Sequence, residues 1–116
     1  MVHIRDTVVG SIVPSDTQLA LIEDSHVQRL RYIRQIGLSY LVYPGANHTR
    51  FEHSIGTMHI TKDIMEHIGE KNEELECVGL LHDVGHAPFS HCSDAHLERH
   101  LNTTHEKVGE EMIRNS

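Results

Sequence analysis

The stretch LLHDVGHAPFSH, residues 80–91, decides how this chain is read. An apolar helical pattern delivers His82 and Asp83 at its C-terminal end, and Gly85 and Pro88 then break the chain. His86 and His91 follow within the same stretch. Neighbouring His and Asp side chains offer one imidazole nitrogen and one carboxylate oxygen. Such a mixed N/O pair suits Mn, Fe, Zn or, less well, Mg. A third donor has to come from elsewhere, and His53, near the start of a long helical pattern, is the candidate. Histidine supplies 12 of the 116 residues, so a spare imidazole falls close to almost any point. Spacing alone therefore leaves open a plain helix-terminal pair, with His82 complementing the helix dipole.

Working outward, residues 2–14 alternate β-branched and polar types around Gly10 and predict a short hairpin or arm that stops at Pro14. Ser15 and Gln18 form a capping box that opens a short helix through Leu19, Leu21 and Ile22. Ser25 and Gln28 repeat the device. The helix expected there carries Val27, Leu30, Ile33 and Ile36 on one face, Arg29, Arg31 and Arg34 as a solvated face, and Gly37 as its C-cap. Residues 39–50 read as a β-like or irregular connection broken at Pro44-Gly45. A long helix is predicted from Glu52 to Ile68, with Ile55, Met58, Met65 and Ile68 on one stripe and Gly69 closing it. Asn72 caps the next helix, whose Leu75, Val78 and Leu81 form its expected buried stripe. Residues 90–101 predict another helix, and Thr103 with Glu106 opens a last one.

The pattern is all-α, with an N-terminal β arm at 1–14 and a helical domain at 15–116. That domain reads as truncated, because the last helix runs out at Ser116 without a stop signal. An incomplete core predicts a homo-oligomer buried through the last helix and the Ile55/Met58/Met65/Ile68 stripe.

Composition narrows the function classes. Apolar residues at 38% and charged residues at 23% describe one globular domain. A net charge of −7, aromatics at 4% and no Trp argue against nucleic acid as a partner, since neither a phosphate-backbone footprint nor a base-stacking platform is present. The acidic excess falls wholly after residue 60, so a small anionic ligand would be met by Arg5, Arg29, Arg31, Arg34 and Arg50 of the first half. The two cysteines lack CxxC spacing, and no apolar run has the length of a signal peptide or membrane span. These features predict a reduced, cytoplasmic chain without a membrane partner.

HTRFEHSIG at 48–56, followed by LLHDVGHAPFSH, resembles the signature of the HD-domain superfamily of metal-dependent phosphohydrolases. With IRDTVVGSI at 4–12, VQRLRYIRQIGLSYLVYPGANHTRFEHSIG at 27–56 and THE at 104–106, the chain is similar to the deoxynucleoside triphosphate triphosphohydrolase branch. The resemblance implies an all-helical HD core and a divalent metal ion (Mn, Fe, Zn or Mg) held by His53, His82 and Asp83. It implies attack of metal-activated water on the α-phosphate of a deoxynucleoside triphosphate, releasing deoxynucleoside and triphosphate. On the matching positions, His91 protonates the leaving 5′-oxygen and Asp94 orients it across one helical turn. His86 and His105 contact or protonate phosphate oxygens, and Arg50 clamps a phosphate. Gln35 reads the 3′-hydroxyl, and Ile36 crowds out a 2′-hydroxyl.

Two departures stand against these matches. The family's fourth metal ligand is an aspartate far downstream of the HD pair, beyond this chain. DTVVG at 6–10 stands where a DPxHG-like turn is usual. Another phosphoester is a lesser substrate reading. The alternative to an enzyme is a truncated HD module that binds metal or nucleotide without turnover, as part of a larger assembly.

Overall fold

The computed structural model describes residues 2–86 and 105–115. The chain opens with an antiparallel hairpin of β1 (Ile4–Asp6) and β2 (Gly10–Ile12), registered by Ile4 opposite Ile12. Its turn is held by Asp6, whose Oδ2 accepts from the backbone N–H of Val8 and Val9, and by Gly10 at φ +83°, where a side chain would be strained. Five α-helices follow among the described residues: α1 (Asp16–Glu23), α2 (Ser25–Gln28), α3 (Arg50–His67), α4 (Glu73–Leu81) and α5 (His105–Arg114). The helical architecture with a small N-terminal hairpin is the one expected.

Capping explains most of the boundaries. Ser15 and Gln18 form the expected reciprocal box at the start of α1. Asn72 accepts from the Leu75 N–H at the start of α4. Gly69, at φ +76°, lies just past α3 as the sequence suggested.

The second capping box does not form. Asp24, not Ser25, caps α2, through a hydrogen bond from the His26 N–H and a contact to the His26 ring. After one turn α2 tightens into a 3-10 segment, Arg29–Tyr32. Tightening the winding keeps Val27, Leu30 and Ile33 buried but turns Ile36 outward. Gly37, at φ +60°, lies in a later turn and caps no helix.

Two predicted stripes are corrected. On α3, Ile55, Met58 and Met65 are buried inside this chain, while Ile68 is 62% exposed because α3 has already ended. The stripe is therefore not an unsatisfied face, which removes the reason for expecting association through it. On α4, Leu75 and Val78 point outward, Leu81 of the expected stripe is partly buried against the core, and the fully buried face is Gly79 and Leu80. Backbone proximity decides this register. A Cβ on Gly79 would lie 3.2 Å from both Thr57 Cγ2 and Thr61 Oγ1, so the missing side chain lets α4 press against α3. A reading that counts apolar residues assigns no weight to a glycine.

The core gathers Ile12 of the hairpin, Ile22, Val27, Leu30 and Ile33 of the first half, and Phe51, Ile55, Met58, Leu80 and Val84 around the α3–α4 pair. At its far side α5 approaches closely, where a Cβ on Gly109 would sit 3.1 Å from the Gly85 nitrogen. No helix among the described residues is long and apolar enough to cross a membrane.

The register of α4 is open to a direct test. Leu80→Ala should cost about 2–5 kcal/mol in urea unfolding, as for other fully buried leucines. Val78→Ala should change stability by no more than about 0.5 kcal/mol. The reverse order would mean that the apolar-stripe register is the true one.

Candidate metal centre

Thr49 caps α3 and completes a second reciprocal box with Glu52, each side chain bonding the other residue's backbone N–H. The helix consequently starts two residues earlier than predicted, at Arg50. That start puts Arg50 and His53, three residues apart, on one face. A short antiparallel bridge reinforces it. The Arg50 N–H donates to the Ile33 carbonyl at 2.8 Å and the Gln35 N–H to the His48 carbonyl at 3.0 Å. The T-x-x-E signature at 49–52 was readable, and the apolar periodicity starting at Ile55 obscured it.

The other half of the centre comes from the end of α4. His82 follows the last helical residue, and its Nδ1 lies 2.6 Å from the Gly79 carbonyl oxygen. A carbonyl only accepts, so Nδ1 is the donor and Nε2 faces the site. Tight turns then bring the Val84 N–H to the Leu81 carbonyl and the His86 N–H to the Asp83 carbonyl. They aim the Asp83 carboxylate back toward α3.

Three donors converge. His53 Nε2 lies 3.6 Å and His82 Nε2 3.2 Å from Asp83 Oδ2. One ligand atom from each of the three residues falls within 4.8 Å of the others. The two imidazoles meet edge to face, with centroids 5.3 Å apart. An imidazole whose Nδ1 is committed to a carbonyl cannot face a carboxylate oxygen through Nε2 without a proton or a cation between them. This donor set therefore suits a small divalent cation, with His82 already fixed in the ligating tautomer.

Arg50 occupies the inner side of the carboxylate. Its side chain is 2% exposed; its guanidinium donates to Asp83 Oδ2 at 3.1 Å and to the Gln35 carbonyl at 3.3 Å. The residue expected to clamp a phosphate thus binds the site's own carboxylate. His86, also buried, places Nε2 3.5 Å from Asp83 Oδ1. Burial alone would raise the Asp83 pKa, but the His82 hydrogen bond and the charges of His82, His86 and Arg50 hold it at about 2. His53 is pushed below its ordinary value, first by burial and then by His82, Arg50 and His48, with Asp83 opposing. His82 is raised, chiefly by its hydrogen bond to Asp83.

The remaining expected site residues fall outside this cluster. Gln35 reaches it through its main-chain carbonyl, and Ile36, on the adjoining turn, is 43% exposed. His91 and Asp94 lie outside the described residues. His105 opens α5, but its side chain is not among those described.

Sequence reasoning missed Arg29, placed there on a solvated face. It is half-buried and donates to the Val84 carbonyl at 2.7 Å and to the His86 carbonyl. Its segment and the HD pair are far apart in sequence, and no local pattern announces their contact. Arg31 and Arg34 lie over the rings of Phe51 and Tyr40.

Residues 50–116 match the HD domain family, and the chain belongs to it. An uncharacterised protein of Methanocaldococcus jannaschii is 52% identical over 88 residues, covering 76% of this chain and 20% of that protein. The deoxynucleoside triphosphate triphosphohydrolase SAMHD1 of Homo sapiens is 43% identical over 101 residues, covering 78% of this chain and 16% of its own length. Among solved structures, a phosphohydrolase from Bacteroides thetaiotaomicron superposes with a TM-score of 0.84 at 34% identity, over 99% of this chain and 31% of that one. A hypothetical protein from Aquifex aeolicus gives a TM-score of 0.86 at 44% identity, over 98% and 31%. The chain thus spans 16–20% of these two relatives' length and under a third of the solved chains.

The Arg50–Asp83 pair makes a stability prediction. In metal-free protein, Asp83→Asn should cost about 3–5 kcal/mol, because it leaves the buried Arg50 charge uncompensated. Arg50→Met combined with Asp83→Asn should cost less than the two single changes together, by more than about 0.5 kcal/mol. Additive losses in urea titrations would show that the two groups do not interact.

Proposed function

We propose that this chain carries the metal-binding part of a divalent-metal-dependent phosphohydrolase whose substrate is a deoxynucleoside triphosphate. The observation that carries the reading is the convergence of His53, His82 and Asp83 from the ends of two packed helices, in a chain that belongs to the HD family. The substrate class rests on similarity to proteins named as deoxynucleoside triphosphate triphosphohydrolases, at 38–43% identity over this region.

His53, His82 and Asp83 would hold the ion. When bound, it would supply a Lewis acid for a phosphoryl oxygen and a lowered pKa for water. The chain's own groups prepare that position. Gly79 fixes the His82 tautomer, Arg50 and His86 keep the Asp83 carboxylate ionised and oriented, and partial burial pushes the His53 pKa below its ordinary value. On this reading His91 with Asp94, His86 and His105 serve the departing alkoxide and the phosphate oxygens, while Gln35 and Ile36 face the sugar. Arg50 acts first through Asp83, and a phosphate contact would be an additional role.

The test is metal content per chain on untagged protein. Wild type should hold about one equivalent of Mn, Fe or Zn, and Asp83→Ala and His53→Ala should each lose it. His67→Ala, on the exposed end of α3, should retain it and so controls for adventitious binding by the many histidines. With metal retained, triphosphate release from dGTP should exceed phosphate release from simple phosphomonoesters. Equal, low metal in wild type and Asp83→Ala would sink the reading. Metal without hydrolysis would favour a binding module without turnover.

A further inference from the structure

We infer that Arg29 is a positioning residue for the HD turn, acting through the Val84 and His86 carbonyls to set where Asp83 and His82 stand relative to His53. The inference rests on the metal-site reading above and adds a residue that approaches the site from behind, with no ligand contact of its own.

Among the described residues no carboxylate lies within ion-pair distance of Arg29. Its guanidinium is half-buried, yet the partners it has are two main-chain oxygens, one nitrogen to Val84 and the other to His86. These carbonyls flank Gly85, immediately after Asp83, and both residues are buried. Both carbonyls lie past the last residue of α4, where main-chain oxygens lose their intrahelical donors, and both accept from Arg29. Two carbonyls two residues apart match the planar fork of a guanidinium and exceed what one ammonium can span. Their partial negative charges, at the C-terminal end of a helix, offset the cost of holding a cation there.

The rest of the segment is built to hold Arg29 in place. Val27 and Leu30 on either side of it are buried in the core, and α2 tightens into a 3-10 segment at Arg29 itself. Separately, Arg50 holds the Asp83 carboxylate. The HD turn is thus gripped from two directions, by its main chain through Arg29 and by its side chain through Arg50. Within the turn itself, the main-chain bonds among the described residues are Val84 N–H to Leu81 and His86 N–H to Asp83, each closing a short local loop that does not tie the turn to the rest of the fold. Metal donors must stand within about 0.5 Å of productive geometry, so the loss of a support on the turn's main chain is felt at the site.

The experiment compares Arg29→Met, Arg29→Lys and the exposed control Arg114→Met with wild type in the 116-residue chain. Co(II) serves as the probe. Its visible absorption band reports ligand geometry, and titration of that band gives affinity. Arg29→Met should bind Co(II) roughly 10–100-fold more weakly, with an altered band, as for other residues that support metal ligands indirectly. Arg29→Lys should recover part of the affinity, and Arg114→Met should match wild type.

Hydrogen exchange on metal-free protein supplies a second readout. The Val84 and His86 amides should exchange at least tenfold faster in Arg29→Met, with the α3 amides unchanged. This arm stands even if Co(II) fails to bind wild type, which would count against the metal reading and not against Arg29. Should Arg29→Met not fold, Arg29→Lys carries the test, with both readouts expected to be intermediate. Arg29→Lys indistinguishable from wild type in both would overturn the proposal. So would a lowered melting temperature in Arg29→Met with an unchanged Co(II) band and unchanged exchange at 84 and 86.

Discussion

The Asp83 carboxylate is the point at which the two ends of the chain's helical core are tied together. It projects from the turn after α4, yet its partners are Arg50 and His53 from the first turn of α3, and His82 and His86 from its own turn. A buried arginine is tolerable only with an anion against it, and a buried carboxylate only with donors around it. Each residue therefore makes the other's burial possible. The hydrophobic core settles around this requirement. Leu80 and Val84 sit on either side of the HD pair, and Phe51 and Ile55 on either side of His53.

The same requirement explains which parts of the fold were legible in the sequence. The hairpin, the Ser15 box, the Asn72 cap and the Gly69 stop depend on interactions within a few residues, and each was read correctly. The convergence of His53, His82 and Asp83 was only weakly legible from the residues, with His53 one candidate among twelve histidines, and the resemblance singled it out, because the spacing of residues 53 and 82 does not by itself bring two helix ends together. Where the reading failed, a long-range contact had overridden a local pattern. The α4 stripe was misassigned because Gly79, with no hydrophobicity to count, carries the close approach to Thr57 and Thr61. The helix expected through Ile36 gives way to a 3-10 segment at Arg29, whose guanidinium meets carbonyls fifty-five and fifty-seven residues away. Arg50, which the resemblance implies as a phosphate clamp, has the Asp83 carboxylate as a fixed partner that no local pattern announces.

Charge distribution adds a constraint at the level of the whole chain. The net charge of −7 arises in the second half, and α4 begins with Glu73, Glu74 and Glu76 in its first turn, where the helix dipole favours them. Two of these acids are partnered across the fold: Glu73 accepts from the Ser15 hydroxyl and Glu76 from the Gln18 side chain. The start of α4 is thereby locked to the capping box of α1, and its end is locked to α3 through Asp83. Both ends of α4 are fixed by polar contacts, and its middle by the absence of a side chain at Gly79. Its outward apolar residues, Leu75 and Val78, are then left over from the packing and do not direct it.

That division of labour bears on how the centre can tolerate being with or without a cation. Asp83 Oδ2 is shared by Arg50, His82 and His53, with the arginine on the inner side and the imidazoles on the more open side. A cation entering between the imidazoles and the carboxylate would replace the proton that His82 otherwise holds there. The Arg50 contact to the same oxygen is the buried one, with a side chain 2% exposed against 40% and 37% for His53 and His82, and need not break. The carboxylate would then exchange one positive neighbour for another while its buried partner stays put. A ligand held from behind in this way keeps its orientation through metal gain and loss, and so the fold need not rearrange to load its site.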